Sequence, residues 1–212
     1  MKRLCLPLAF AAILSSSTFS VVSATALAAE TASPSPVTVK SGKAVLTPEN
    51  TRIQFVCAHR GPKPDPRTGT FAKFTGTAEV DTKAKELKSV SLDIDTNSLA
   101  TEFGKLTTHL KSTDFFDTRE HPKASFTSKK IVPGAKPGEY TLTGDLTLMG
   151  VTKSIKAPAT VAVTDSGVTL TSSFAIDRSE FGMNYGADKV ENTVSLTVVI
   201  GEKNKAFAEA GK

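Results

Sequence analysis

The stretch 109-HLKSTDFFDTREHPKASF-126 interrupts a chain that otherwise alternates polar and apolar residues. It begins at the end of a short amphipathic stretch and brings three phenylalanines and two histidines into eighteen residues. On both sides of it the alternation has a period of two, which is typical of an antiparallel sheet with one dry and one wet face. We therefore expect this stretch to close one end of an antiparallel β structure.

The alternating segments number eight or nine and are separated by regularly spaced turns, which predicts an antiparallel barrel or sandwich. Residues 101–111 predict the one helix, because Phe103, Leu106 and Leu110 recur at helical spacing and Thr101 can cap it. Residues 60–69 contain three prolines and predict a loop outside the sheet. Small residues on the inward faces favour tight packing and an enclosed cavity equally; they are Gly76, Ala78, Gly144 and Ala157.

The first 28 residues have the order of a secretory signal peptide. Lys2 and Arg3 precede an apolar run over residues 4–14, and small residues lead to Ala28. A run of that length is too short to span a membrane, which needs about 20 apolar residues. The sequence thus predicts a periplasmic or secreted protein without stable membrane insertion. We expect residues 29–42 to be a flexible leader, 43–202 the folded domain and 203–212 a tail.

Composition and motifs argue against several classes of function. The formal net charge of +5 is spread along the chain, without the clustering that nucleic-acid binding requires. His59, His109 and His121 lack the close spacing of metal ligands, and no nucleophile, phosphate-loop or dinucleotide motif is present. Cys57 is the only cysteine beyond the signal region and is interpreted as an inert core residue rather than a reactive thiol. The sequence therefore predicts a protein that is not an enzyme and needs neither cofactor nor metal.

Three blocks, 109–126, 143–158 and 174–186, resemble the YceI-like family of polyisoprenoid-binding, lipocalin-like secreted proteins. An earlier Gly-x-Phe-x-x-Phe-x-Gly pattern also fits, and the resemblance extends over about residues 44–201. The residues that carry it are Gly69, Phe71, Phe74, Gly76, His109, Leu110, Ser112, Asp114, Phe115, Phe116, Asp117, Pro122, Phe126, Gly144, Leu146, Thr147, Gly150, Val151, Thr152, Ile176, Arg178, Phe181 and Gly182.

The resemblance implies a mostly β fold, an eight-stranded antiparallel lipocalin-like barrel with one short helix closing an end. It also implies an apolar interior that binds, stores or transports an isoprenoid or fatty-acyl lipid. The residues expected to contact the lipid are Phe74, Leu92, Ile94, Leu106, His109, Leu110, Phe115, Phe116, Phe126, Leu146, Phe174, Ile176, Arg178 and Phe181. Phe115, Phe116 and Phe126 are expected to anchor a lid at the barrel mouth.

Other interpretations stay open at this point. Phe115 and Phe116 either hold the helix against the barrel or line the entrance of the cavity. Arg178 forms either a local ion pair with Glu180 or a contact to a lipid head group. The alternative functions are a lipid-modifying enzyme that uses His109 or Cys57, and a stress-response adaptor that binds a partner through loop 60–69. A homodimer is compatible with the sequence.

Overall fold

The computed structural model of the chain describes residues 33–63, 65–205 and 207. The predicted signal peptide and the first part of the predicted leader lie outside the described residues. None of the helices in the described ranges is long and apolar enough to cross a membrane.

The described part of the chain forms one antiparallel sheet and one short α-helix. The strands are β1 (Val37–Thr38), β2 (Lys43–Leu46), β3 (Thr51–His59), β4 (Asp65–Phe71), β5 (Phe74–Asp81), β6 (Glu86–Asp95), β7 (Leu99–Thr101), β8 (Lys123–Pro133), β9 (Glu139–Leu148), β10 (Val151–Val163), β11 (Gly167–Asp177) and β12 (Thr193–Ile200). The helix α1 is Gly104–Lys111, and 3-10 turns occupy Thr96–Ser98 and Arg178–Phe181.

The sheet closes on itself, which confirms the predicted mostly β antiparallel barrel. Strands β4 and β5 are one long strand interrupted at residues 72–73, and β6 and β7 are one long strand interrupted by the 3-10 turn at 96–98. β4 pairs with β3, while β5 pairs with β6, and the order then continues through β8, β9, β10, β11 and β12 back to β3. Eight long strands therefore surround the interior. Two of them are interrupted, and each of these two is divided into two shorter strands.

The alternation of strand direction decides which connections share an end of the barrel. Segments 60–64, 102–122, 149–150 and 178–192 join successive long strands at the same end, which we call the mouth. The hairpin turns at 82–85, 134–138 and 164–166 lie at the opposite end. The aromatic-rich stretch 109–126 therefore belongs to the mouth, apart from its last residues, which enter β8.

Small residues let large rings lie against the wall of the barrel. Gly144 on β9 faces Phe126 on β8, and an added Cβ would lie 2.7 Å from the ring and 2.5 Å from the Thr127 carbonyl oxygen. Ala124 and Ala157 are buried among larger neighbours. These positions make room for aromatic side chains that point inward.

The structure corrects the predicted helix and the predicted loop. The helix begins at Gly104 and not at Thr101, because Thr101 ends β7 and its hydroxyl bonds to Thr107 at 2.9 Å and to the Phe103 carbonyl. Residues 65–69 are not a loop outside the sheet but part of β4. Pro66 is accommodated near the start of that strand, opposite Ala58, where few ladder bonds are lost.

Residues on both sides of the predicted domain, 43–202, pack against the barrel. Within the predicted leader, Val37 pairs with Val168 in β11 and is buried. In the predicted tail, Asn204 is buried and its side-chain amide donates to the Phe71 carbonyl at 2.7 Å. The segments that precede and follow the barrel domain therefore contribute to its packing.

Candidate functional site

The barrel encloses a cavity of about 570 Å³. All eight long strands contribute side chains to its wall, as alternation along a strand requires. In β12 the inward residues are Val194, Leu196, Val198 and Ile200, which span about 20 Å at the usual rise per residue. Phe116, Phe126 and Phe174 are inward yet only partly buried, because they face empty space instead of packed atoms.

Most of the residues predicted to contact a lipid lie in the cavity wall, although their role in binding stays a prediction. Those that line the cavity are Leu92, Ile94, Leu106, His109, Leu110, Phe115, Phe116, Phe126, Leu146, Phe174, Ile176 and Arg178. Phe126 belongs to the side wall, on β8, and is not part of the lid that the sequence predicted. Phe115 and Phe116 were expected either to hold the helix against the barrel or to line the entrance of the cavity. Both residues line the cavity next to α1, so the two alternatives do not exclude each other.

Phe74 and Phe181 do not line the cavity, contrary to expectation. Phe74 pairs with Ile94 on the inner face of the sheet, but it lines a separate, more open pocket with Asn97 and Pro122, whereas Phe71 faces the cavity. Phe181 lies in a 3-10 turn, where the period of two no longer holds, and is fully buried. Both residues serve the packed framework.

Several lining residues were missed at the level of sequence. They include Phe55, Phe71, Leu142, Val194, Leu196, Val198, Met183 and Tyr185. The period-two patterns of β3, β9 and β12 identify Phe55, Leu142, Val194, Leu196 and Val198 among them. No comparable signal exists for Met183 and Tyr185, which lie in an irregular loop.

Two aromatic clusters surround the mouth. Phe116 packs against Phe55 and Phe71 with ring centroids 6.0 and 5.9 Å apart, so it reaches into the barrel between β3 and β4. His109, Phe115 and Tyr185 form the second cluster, with centroid distances of 5.0 to 5.4 Å. The second cluster joins α1 to the loop 182–192 across the opening.

Local hydrogen bonds hold the FFD turn under the helix. The His109 Nε2 atom lies 2.9 Å from an Asp114 carboxylate oxygen. The Phe116 amide donates to the Leu110 carbonyl at 3.0 Å, and the Thr118 amide donates to the Lys111 carbonyl. These bonds turn the chain back on α1, which directs the two adjacent phenylalanines toward the cavity.

The loop 182–192 is fixed over the mouth from two sides. Its backbone continues the sheet next to β3, through bonds from the Arg60 amide to Lys189 and from the Glu191 amide to Ala58. Arg178 holds it from inside, donating to the carbonyls of Met183 at 2.6 Å, Glu191 at 3.1 Å and Val190 at 3.4 Å. The predicted Arg178–Glu180 ion pair is absent from the described residues.

Cys57 lines the cavity near Arg178. Its thiol donates to the Glu191 carbonyl at 3.3 Å. Burial raises the pKa of the Cys57 thiol above its ordinary value, and the positive charge of Arg178 offsets only part of this increase. The thiolate is the reactive form of cysteine, so this environment disfavours reaction, although the side chain is only partly buried and lines the cavity, whereas a packed core residue was expected.

The polarity of the cavity changes along the barrel axis. The polar and charged lining residues concentrate at the mouth; they are Cys57, His59, Arg67, Thr68, Thr101, His109, Arg178, Tyr185, Asp188 and Lys189. Below them the wall is apolar down to Val90, Leu142, Leu170 and Ile200, with Ser172 as an exception whose hydroxyl donates to the Pro158 carbonyl. The cavity thus has a polar entrance and an apolar depth, which suits a molecule with one polar end.

The described ranges contain no group of three or more His, Cys, Asp or Glu side chains arranged to hold a metal ion. Neither His59 nor His109 is hydrogen-bonded to Cys57 among the contacts of these residues. Within the described residues Cys57 is therefore not paired with a histidine that could serve as its base.

Comparison with known proteins agrees with this architecture. The YceI-like domain matches residues 45–201. The YceI protein of Escherichia coli O157:H7 is 41% identical over 92 residues, which are 43% of this chain and 47% of that protein. The chain spans about half the length of the curated relatives it matches.

Two solved structures share the fold. The structure of BcnA from Burkholderia cenocepacia superposes with a TM-score of 0.63 at 24% identity, covering 71% of this chain and 94% of that one. A polyisoprenoid-binding domain from Saccharophagus degradans, implicated in plant cell wall breakdown, gives a TM-score of 0.59 at 16% identity, covering 76% and 97%. At these identities the two structures establish similarity of fold.

Proposed function

Because this chain belongs to the YceI-like domain family, we propose that it binds a long apolar chain, of isoprenoid or fatty-acyl type, inside the barrel and stores or carries it. The observation that carries the proposal is the cavity inside the barrel, whose wall is mostly apolar below a polar mouth. Ligand sites are mostly apolar with a few polar groups that fix orientation, and this cavity has that composition. The polyisoprenoid-binding domain with the same fold supports the chemical class of ligand.

The size of the cavity limits the chain that it accommodates. A cavity of about 150 Å³ holds one benzene molecule, so 570 Å³ holds roughly 20 to 25 carbon atoms. That corresponds to a fatty acyl chain or to four or five isoprene units. Longer isoprenoids would leave part of the chain outside the mouth.

The energetics favour retention of such a chain. Each buried CH₂ group contributes about 0.8 kcal/mol, so a chain of ten or more carbons compensates for the loss of translational freedom on binding. The gradient of polarity favours one orientation, with the tail toward Leu142 and Ile200 and the polar end near α1 and the loop 182–192.

The alternative functions have weaker support. An enzyme would need a reactive group in the cavity, whereas the pKa of the Cys57 thiol is raised and His109 is engaged by Asp114. An adaptor that uses residues 60–69 would present a flexible surface, but the second half of that segment, residues 65–69, is part of a strand of the barrel. We therefore propose a binding protein that is not an enzyme, with binding in the interior.

We place this activity in the periplasm or outside the cell. The order of charge, apolar run and small residues within the first 28 residues supports export. A carrier outside the cytoplasm also explains why a chain lipid would need an enclosed, apolar site, since it has low solubility in water.

Native mass spectrometry of the protein purified from its own cells tests the proposal. We expect additional masses that disappear after organic extraction, and an extract that contains single-chain lipids of up to about 25 carbons. The extracted protein should take up isoprenoid or fatty-acyl chains when they are returned to it. Absence of lipid in repeated preparations, together with no uptake of any chain whatever its head group, would refute the proposed function.

A further inference from the structure

Arg178 is a buried cation in the wall of the cavity. It is 3% exposed and lies where β11 ends, at the mouth. A guanidinium has five N–H donors, and three hydrogen bonds to backbone carbonyls account for three of them. Two N–H donors therefore remain on a guanidinium that borders the cavity and lies 5.9 Å from the centre of the Phe115 ring.

The described residues provide no carboxylate within 4 Å of Arg178 to balance this charge. The nearby acidic groups are committed elsewhere: Asp177 accepts hydrogen bonds from the amide and hydroxyl of Ser179, and Glu191 pairs with Arg60 at 3.5 Å. Carbonyl dipoles stabilise a cation but carry no net charge. Buried charges are usually paired, so a buried arginine that has no carboxylate neighbour among the described residues favours a partner with negative charge.

The other charged side chains of the cavity wall are mostly positive. Arg67 and Lys189 add two cations to Arg178, while Asp188 is the one acidic residue that lines the cavity within the described ranges. Arg67 is paired with Asp65, and its guanidinium lies 4.8 Å from the centre of the Phe103 ring. The entrance therefore presents a surplus of positive charge to whatever enters it.

We infer that the cavity selects chains with an anionic head, a carboxylate or a phosphate, and holds that head against the Arg178 guanidinium. This inference rests on the proposed function and specifies its ligand class. Arginine recognises both anions through its planar pair of N–H donors, and such charge-assisted bonds are stronger than neutral ones. Burial of the site protects the interaction from screening by salt.

Matched lipids test this selectivity in the wild-type protein. Palmitate and hexadecanol have chains of the same length and differ in the charge of the head. We expect palmitate to bind at least tenfold more tightly, which is about 1.4 kcal/mol, and hexadecyl phosphate to behave like palmitate. Equal affinity for palmitate and hexadecanol would overturn the inference while leaving the proposed function intact. If no chain binds, the proposed function and the inference both fail.

The variant Arg178→Met identifies the residue responsible. If Arg178 had only a structural role, its removal would open the mouth and weaken the binding of palmitate and of hexadecanol to a similar degree. The ratio of the two affinities is therefore the informative quantity. We expect the palmitate-to-hexadecanol ratio to approach one in Arg178→Met and to be retained in part in Arg178→Lys. A ratio unchanged in Arg178→Met would overturn the assignment to this residue.

The position of the head group provides a second test that needs no variant. In a crystal structure of the wild-type protein with hexadecyl phosphate, we expect the phosphate oxygens within hydrogen-bond distance of the Arg178 guanidinium. Inorganic phosphate alone should not compete at millimolar concentration, because the chain supplies most of the affinity. A phosphate located elsewhere in the cavity or at its outer rim would overturn the inference.

Discussion

Substitution Ala157→Phe should shorten the chain that the barrel accepts. Ala157 lies on β10, is buried and faces the cavity. A phenyl ring occupies about the volume of benzene, for which a cavity of about 150 Å³ suffices. The new ring would therefore fill roughly a quarter of the 570 Å³ space.

The expected effect depends on the length of the ligand. A chain that fills the cavity loses room for about six carbons, and at about 0.8 kcal/mol per CH₂ the upper limit of the loss is about 5 kcal/mol. Partial relaxation of the wall lowers this figure, so we expect a C20 carboxylic acid to bind 100- to 1,000-fold more weakly. A C10 acid leaves half of the cavity empty and should change by less than threefold.

Isothermal titration calorimetry or displacement of a fluorescent fatty acid measures both affinities. Lys156→Phe is the matched control, because Lys156 is the preceding residue of the same strand and points outward. Thermal denaturation of the lipid-free variant establishes that the barrel remains folded. If Ala157→Phe weakens C10 and C20 acids equally, or leaves the C20 acid unaffected, the chain does not lie in this cavity.

Two further predictions concern the wall of the barrel. Gly144→Ala should lower the free energy of unfolding by about 1–3 kcal/mol, because the new Cβ would meet the Phe126 ring and the Thr127 carbonyl. Urea denaturation measures this loss. If the loss is no greater than that caused by the outward-facing substitution Thr143→Ala, the packing described around Gly144 is wrong. The Cys57 thiol should react with iodoacetamide at pH 8 more slowly in the folded than in the unfolded protein, because burial raises its pKa and leaves less thiolate. Bound lipid should slow the reaction further, and an equal rate with and without lipid would mean that the ligand does not pass Cys57.

The strands could be predicted from sequence because each has one face in the interior and one in solvent. The alternation of polar and apolar residues over 87–95 and 168–176 coincides with β6 and β11 to within one residue at either end. Here the period of two is a direct consequence of the fold, since a shift by one residue would expose the whole apolar face. The same pattern placed Leu92, Ile94 and Phe174 in the wall of the cavity.

Predictions failed where the chain departs from that period. Counting in twos from Phe74 along one uninterrupted strand places Phe71 on the outer face, but the break at residues 72–73 shifts the alternation and turns Phe71 toward the cavity. Thr101 resembled a helix cap because threonine often has that role, yet tertiary pairing made it the end of β7. Such interruptions depend on contacts with distant strands, which a local pattern does not contain.

Arg178 shows why the chemistry of the mouth is a property of the tertiary structure. If the strand continued through residues 178–180, Glu180 would lie on the same face as Arg178, and the two side chains would be expected to form an ion pair. The 3-10 turn at Arg178–Phe181 removes that relation and directs the guanidinium to carbonyls five, twelve and thirteen residues further along the chain. Closure of the loop 182–192 over Arg178 thus builds the rim of the cavity and, in the same step, buries a cation without a carboxylate partner. A ligand with an anionic head would complete that arrangement, and so would stabilise the closed mouth as well as its own binding.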